Sequence, residues 1–371
     1  MNAKQYWTGV GARVTGLALL LAGGVCGRAV LFYSTGDPAY NSTAPSGSLA
    51  GSGWQYEGNW NGFLGTVIAP SYFITASHIG GAVGQPFLLN GVSYTTTAFF
   101  DDPVTDLRIW RVCGTFPVQA PLYTASNETG KGVVEIGVGT QRGDPVITSG
   151  FLGAAKTNGW HWGTADGVRR WGENTVADAF NADVLTGSSG LGELLQMNFD
   201  ANGGVNECDL SDGDSGGGLF INDGGTWKLA GINYSVSGPY NTSSTGDGFY
   251  AAIFDEGGLY QQSGSMWVQT PDFPGSQPGS FYATRISSRV AWINSVISTQ
   301  PASTDAPVLQ SAANVSGTYA DETGAVVNQS ANTITIPAPG APRFYRLRSG
   351  CAPLRITQTR LEGSSLVLFY Q

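Results

Sequence analysis

From residue 63 onward the chain is written in short apolar runs, each closed by Gly, Pro, Asn or Asp. They fall at 63–68, 72–75, 86–89, 92–100, 107–112 and 133–138. β-Branched and aromatic residues dominate them, the composition that suits a pleated, half-buried surface. Further runs follow at 150–153, 194–199, 218–221 and 227–234, with a Trp-rich stretch around Trp160-His161-Trp162. Only 287–297 carries a helical period, with Val290, Ile293, Val296 and Ile297 on one face. The pattern predicts an all-β protein whose main body ends in one helix. Residues 33–53, rich in Gly, Ser, Pro and Asn, lack either period and read as an extended lead-in, and 237–277 reads as a long insertion.

After the helix, residues 298–307 are polar and punctuated by Pro301 and Pro307, the composition of a linker. Runs at 333–336, 343–348, 354–357 and 366–370 then predict a small β module without chemistry of its own. Its aromatics Phe344, Tyr345, Phe369 and Tyr370 suit either a core or a contact surface for a substrate or cell surface. The expected organisation is a leader at 1–29, a lead-in at 30–55, the main domain at 56–298, a linker at 299–308 and an accessory domain at 309–371.

The leader expectation rests on Lys4 and Arg13, then a short apolar run from Val14 to Cys26, then small residues that include Gly27 and Ala29. That run is shorter than a bilayer span requires, so no membrane span is expected and the protein is placed outside the cell, in the periplasm or on the cell surface. A net charge of -9, without any Lys/Arg-rich run, gives no footprint for nucleic acid. Export permits disulfides. Cys113 and Cys208 lie in the same expected domain and are the candidate pair, with Cys351 left as a lone thiol, although no spacing demands it. Two histidines and no Cys-x-x-Cys argue against a metal site, and no cofactor is expected. The acidic stretch 200–214 offers oxygens for calcium but matches no calcium loop.

Chemistry concentrates in Gly213-Asp214-Ser215-Gly216-Gly217. A serine nucleophile needs its hydroxyl exposed on a sharp turn, with backbone N–H groups free to face a developing oxyanion, and flanking glycines allow that backbone. Serine also needs a base. His78 follows a strand pair in Ile74-Thr75-Ala76-Ser77-His78, whereas His161 sits between two tryptophans and reads as packed or surface histidine. The carboxylate that fixes the imidazole tautomer is best sought in Asp106, which opens the run 107–112; Asp101 and Asp102, before Pro103, read as turn residues.

The blocks Ile74-Thr75-Ala76-Ser77-His78, Thr105-Asp106-Leu107-Arg108-Ile109 and Gly213-Asp214-Ser215-Gly216-Gly217, in that order, resemble the signature blocks of the chymotrypsin/trypsin-like serine peptidases. The stretch 281–293 resembles the last strand and C-terminal helix of that family. The resemblance implies two antiparallel six-stranded β-barrels with the site between them, and peptide hydrolysis through an acyl-enzyme. It makes His78, Asp106 and Ser215 the catalytic residues and the N–H groups of Gly213 and Ser215 the oxyanion hole. It also places Asp209 at the base of the specificity pocket, where a carboxylate selects Arg or Lys, with Tyr234, Ser235, Val236 and Gly279 as its walls. Departures are Ile79 where a cysteine commonly follows the histidine, and the lack of an activation peptide to supply an amine to Asp214. The competing reading is a catalytically silent binding protein of the same fold. An esterase is disfavoured because the acid lies between His78 and Ser215 in sequence, unlike the serine-first order of the nucleophile-elbow hydrolases.

Overall fold

A computed structural model describes residues 30–149, 153–275, 277–299, 306–328, 331–349, 351 and 354–371. The expected leader, nearly all of the run at 150–153 and most of the linker lie outside the described residues.

The chain begins with β1 (Leu31–Phe32) and then builds a closed barrel from β2 (Glu57–Trp60), β3 (Phe63–Ala69), β4 (Tyr72–Ala76), β5 (Pro86–Leu89), β6 (Val92–Asp101) and β7 (Leu107–Val112), in the order β2-β3-β4-β7-β6-β5. All of β4 and all of β3 except Phe63 are buried, which explains why these strands are apolar at consecutive positions instead of alternating. Inside, the Trp60 and Trp110 rings lie 4.5 Å apart and Phe73 stacks on Phe87 at 4.0 Å. Gly58 makes room for that stack: a Cβ there would stand 2.3 Å from the Phe87 ring.

A second closed barrel uses β8 (Gly132–Gly137), β11 (Arg170–Asn181), β12 (Glu193–Asn198), β14 (Gly218–Asp223), β15 (Thr226–Val236) and β20 (Ser280–Arg285). Between these strands lie a hairpin of β9 (Thr140–Ser149) and β10 (Ala155–Ala165), the short helix α1 (Ala182–Thr186), β13 (Cys208–Asp209), and β16 (Tyr240–Asn241), β17 (Ala251–Ile253), β18 (Tyr260–Ser263) and β19 (Met266–Gln269). β17 extends the β9–β10 sheet, while β16, β18 and β19 form a small sheet within the stretch read as an insertion. The C-terminal helix α2 (Val290–Thr299) seats Ile293 and Val296 in an apolar seam that also takes Val134 and Ile136 from the second barrel and Val67 and Trp110 from the first.

The lead-in is ordered by bonds to the second barrel instead of a period of its own. Leu31 pairs with Asp209, Pro38 O accepts Arg170 Nε–H at 2.9 Å, and Thr43 O accepts Trp171 Nε1–H at 2.9 Å. The helix α1 was not expected. Asn181 caps it by accepting the Val184 N–H at 3.1 Å.

Residues 306–371 form two sheets, one from β21 (Val308–Ala312), β22 (Ala320–Asp321) and β25 (Phe344–Arg348), the other from β23 (Val326–Asn328), β24 (Thr333–Pro337), β26 (Ile356–Glu362) and β27 (Ser365–Tyr370). Leu309, Ile334, Ile336, Leu368 and Tyr370 fill the space between them; Phe344 is exposed. The disulfide joins Cys113 to Cys351, with Cα atoms 4.8 Å apart, and not Cys113 to Cys208. The physical reason is position. Cys113 follows β7 at the edge of the first barrel, whereas Cys208 is wholly buried in the second barrel's core, its thiol against Glu173 O.

Burial raises the pKa of five buried carboxyls among the described residues. Burial lifts Glu57 to about 7, against the hydrogen bond it accepts from Thr66 and the nearby Arg169 charge. It lifts Glu207 and Asp214 to about 8, and drives Glu135 and Asp209 well above the usual carboxylate range, with mutual repulsion adding to the effect. Each binds its proton more tightly folded than unfolded, so folding stability falls as pH rises from about 4.5 toward about 8. Glu57→Gln, which keeps the shape, should flatten part of that slope. The gain over wild type in urea denaturation is expected to be on the order of 1 to 3 kcal/mol at about pH 8, vanishing near pH 4. Cys351→Ser should cost about 2 to 4 kcal/mol in the same assay, and reductant should do the same to the wild type.

Candidate active site

His78, Asp106 and Ser215 come from three different turns. His78 lies in the 3-10 turn Ser77–Ile79 that continues β4, Asp106 immediately precedes β7, and Ser215 lies in the loop before β14. β4 and β7 pair directly, Ala76 opposite Leu107, so their ends present His78 and Asp106 side by side. Ser215 approaches from the second barrel.

The structure brings the three together. His78 Nδ1 is 2.5 Å from Asp106 Oδ2, and His78 Nε2 is 2.9 Å from Ser215 Oγ. Asp106 is anchored from behind: its Oδ1 accepts the His78 N–H at 3.0 Å and the Ser77 hydroxyl at 2.6 Å, while its backbone O accepts the Ser77 N–H at 2.8 Å. The Ser77 hydroxyl escaped the sequence reading, which treated that residue only as part of a motif; its adjacency to the histidine was the available signal. Tyr234 closes one side of the imidazole, edge-on at 5.8 Å.

The rival groups are occupied elsewhere. Asp101 pairs with Arg108, and Asp102 takes both the Arg289 guanidinium and the Thr105 hydroxyl. His161 lies on β10 and packs on the Phe249 ring at 4.6 Å.

Gly213 and Gly216 adopt φ of 96° and 83°, the left-handed region open to glycine. The resulting loop leaves the Ser215 N–H without a hydrogen bond among the described residues, free to meet an oxyanion. Partial burial raises the Asp212 carboxyl above its usual range, and the neighbouring Gly213 N–H offsets part of that rise. Asp214 points away into the second barrel. Its Oδ1 accepts the Gly139 N–H at 2.6 Å, and its Oδ2 accepts the Ser211 N–H at 2.7 Å and hydroxyl at 2.9 Å. The loop is therefore anchored by internal donors from the start of the β9 strand and from its own turn.

The expected pocket walls lie on or beside two paired strands. Tyr234, Ser235 and Val236 end β15, and Gly279 precedes β20, yet a Cβ at Gly279 would stand 2.8 Å from the Tyr240 hydroxyl. Tyr240 is buried there, donating to Glu256 at 2.9 Å. Asp209 is only 2% exposed and is held toward its neutral form by burial. The stretch 200–214 scatters its acids: Glu207, Asp209 and Asp214 are buried, and Asp212 faces solvent. Among the described residues no three His, Cys, Asp or Glu side chains are arranged to hold a metal ion, and no helix is long and apolar enough to cross a membrane.

No family model matches the chain, and no curated protein does. Among solved structures it is similar to a mutant of human heparin binding protein, at 13% identity over 68% of this chain and 94% of the other, with a TM-score of 0.38. The architecture rests on the chain's own topology: two closed six-stranded antiparallel barrels followed by a short helix, which is the chymotrypsin-like fold.

Proposed function

We propose that the protein is an exported serine endopeptidase, with Ser215 as nucleophile, His78 as general base and then acid, and Asp106 as the group that orients the imidazole. What carries the reading is the pair of bonds through His78, 2.5 Å to Asp106 and 2.9 Å to Ser215. With its Nδ1–H given to Asp106, the neutral imidazole holds Nε2 as an acceptor for the Ser215 proton. Attack on a peptide carbonyl then builds an oxyanion beside the Ser215 and Gly213 N–H groups. The imidazolium returns its proton to the leaving amine, and water repeats the sequence to release the acyl group.

Residues 56–298 form the peptidase unit in this reading, and 309–371 an accessory domain that contacts a surface or substrate. Asp209 is buried and held toward its neutral form, which argues against a strict preference for Arg or Lys. A second reading is a silent binding protein of the same fold.

Purified mature protein and its Ser215→Ala variant are compared on casein and on peptides ending in Arg, Lys, Phe or Ala, with a fluorophosphonate probe alongside. The wild type should cleave and label, and the variant should lose at least about a thousandfold in kcat/KM. Absence of both cleavage and labelling in the folded wild type would favour the silent reading.

Ser77→Ala removes a hydroxyl hydrogen-bonded to a carboxylate, so kcat should fall about tenfold or more with KM little changed. Ser77→Thr, which restores the hydroxyl, should recover most of it. Equal losses in both variants would mark Ser77 as a packing residue instead of a positioning one.

A further inference from the structure

A cavity of about 510 Å³ opens on the β9–β10 hairpin, walled by Tyr33, Arg142, Pro145, Thr157, Trp160 and Phe254. Three of these side chains form an aromatic corner. Tyr33 meets Trp160 at 5.7 Å and Phe254 at 5.1 Å, both edge-on, and Trp160 meets Phe254 at 5.1 Å. The fourth feature is a cation without a counterion. The Arg142 guanidinium carbon lies over the Trp160 ring, 3.4 Å from its centroid, and Nη1 donates to Tyr33 O at 3.2 Å.

Among the described residues Arg142 forms no ion pair, and that carbonyl is its hydrogen-bond acceptor. Its neighbours differ. Lys156, on the same hairpin, is bound to Asp255 and Asp272, and Arg170 is bound to Asp166. Asp37, beyond the guanidinium, has its Oδ1 engaged by the Ala39 N–H, and Asp144 is exposed on β9. Partial burial already costs Arg142 some of its hold on the proton.

We propose that this cavity is a binding site for a carboxylate carried on an aromatic or branched apolar group. A guanidinium is a planar fork whose N–H groups meet a carboxylate through two hydrogen bonds, and its seat over the indole restricts where that fork can point. The rings of Tyr33, Trp160 and Phe254 receive the apolar body and exclude water from the ion pair, which strengthens it. Two sources share that chemistry, the free C-terminus of a peptide and an Asp side chain next to an apolar residue. The site belongs to the hairpin and the lead-in, with no residue of the Ser215 constellation in it, and stands whether or not the peptidase reading does.

The test is calorimetric titration of the full chain with acetyl-Phe, acetyl-Phe amide and acetyl-Asp-Phe amide. Acetyl-Phe should bind at least about tenfold tighter than its amide if the C-terminus is the source, and acetyl-Asp-Phe amide should do so if the side chain is. Arg142→Gln should remove the preference for the charged ligand, and Arg142→Lys should retain part of it. Because Arg142 also holds Tyr33, a second variant keeps the guanidinium intact: Thr157→Trp, on the exposed rim, should fill the cavity and abolish binding while leaving the melting temperature unchanged. The proposal is overturned if neither acetyl-Phe nor acetyl-Asp-Phe amide binds more tightly than acetyl-Phe amide, if Arg142→Gln binds the charged ligand as well as wild type does, or if the folded wild type takes up no carboxylate at about 10 mM.

Discussion

The segment that follows Ser215 approaches the first barrel through glycines that add no side chain of their own, and the geometry at His78 depends on that approach. A Cβ at Gly216 would stand 2.3 Å from Thr75 Oγ1 and 2.6 Å from Leu64 O, and one at Gly218 would stand 2.6 Å from Glu57 Oε1. Thr75 and Leu64 belong to β4 and β3, the strands that lead into the His78 turn. Any side chain at 216 separates the nucleophile's barrel from the base's barrel, and a hydrogen bond of 2.9 Å does not survive a displacement of an ångström. The glycines of the serine block therefore serve two ends at once: a left-handed turn, and a seam narrow enough for groups from two barrels to meet.

The same seam explains where ionisable groups are hidden. Glu57, with Thr66 as its donor, lies against this junction. Asp214 is turned into the second barrel, where Gly139 and Ser211 satisfy it. A buried carboxyl held by backbone N–H groups ties the nucleophile loop to β9 through contacts made wholly within the folded chain.

Much of this was legible in the chain. The first-barrel strands announce themselves as β-branched runs ended by turn residues, and the helix α2 as a 3.6-residue period. The residues that the structure gathers at the barrel junction were chosen from motif context alone, and their rivals turn out to be engaged by Arg108, Arg289 and Phe249. Other features were not legible, for identifiable reasons. β9, β10 and β11 hold Gly143, Gly159, Gly163 and many polar positions, and register shifts break the β9–β10 pairing, so no clean alternation forms. The disulfide partner of Cys113 depends on how the C-terminal sheets dock, which no local pattern encodes. The approach of the Tyr240 hydroxyl to Gly279 arises inside a stretch that offered only the outline of an insertion.

Cys113 and Asp106 stand at opposite ends of β7, a strand of six residues and thus roughly 20 Å long. If the C-terminal sheets are fixed to something, a pull on them enters the first barrel at one covalent point and runs along the strand whose far end presents Asp106. β7 is clasped on one side by β4 and on the other by β6, so such a load is carried as shear across many hydrogen bonds in parallel instead of peeling them singly. The strand acts as a strut, and the carboxylate at its tip is shielded from mechanical strain at its base.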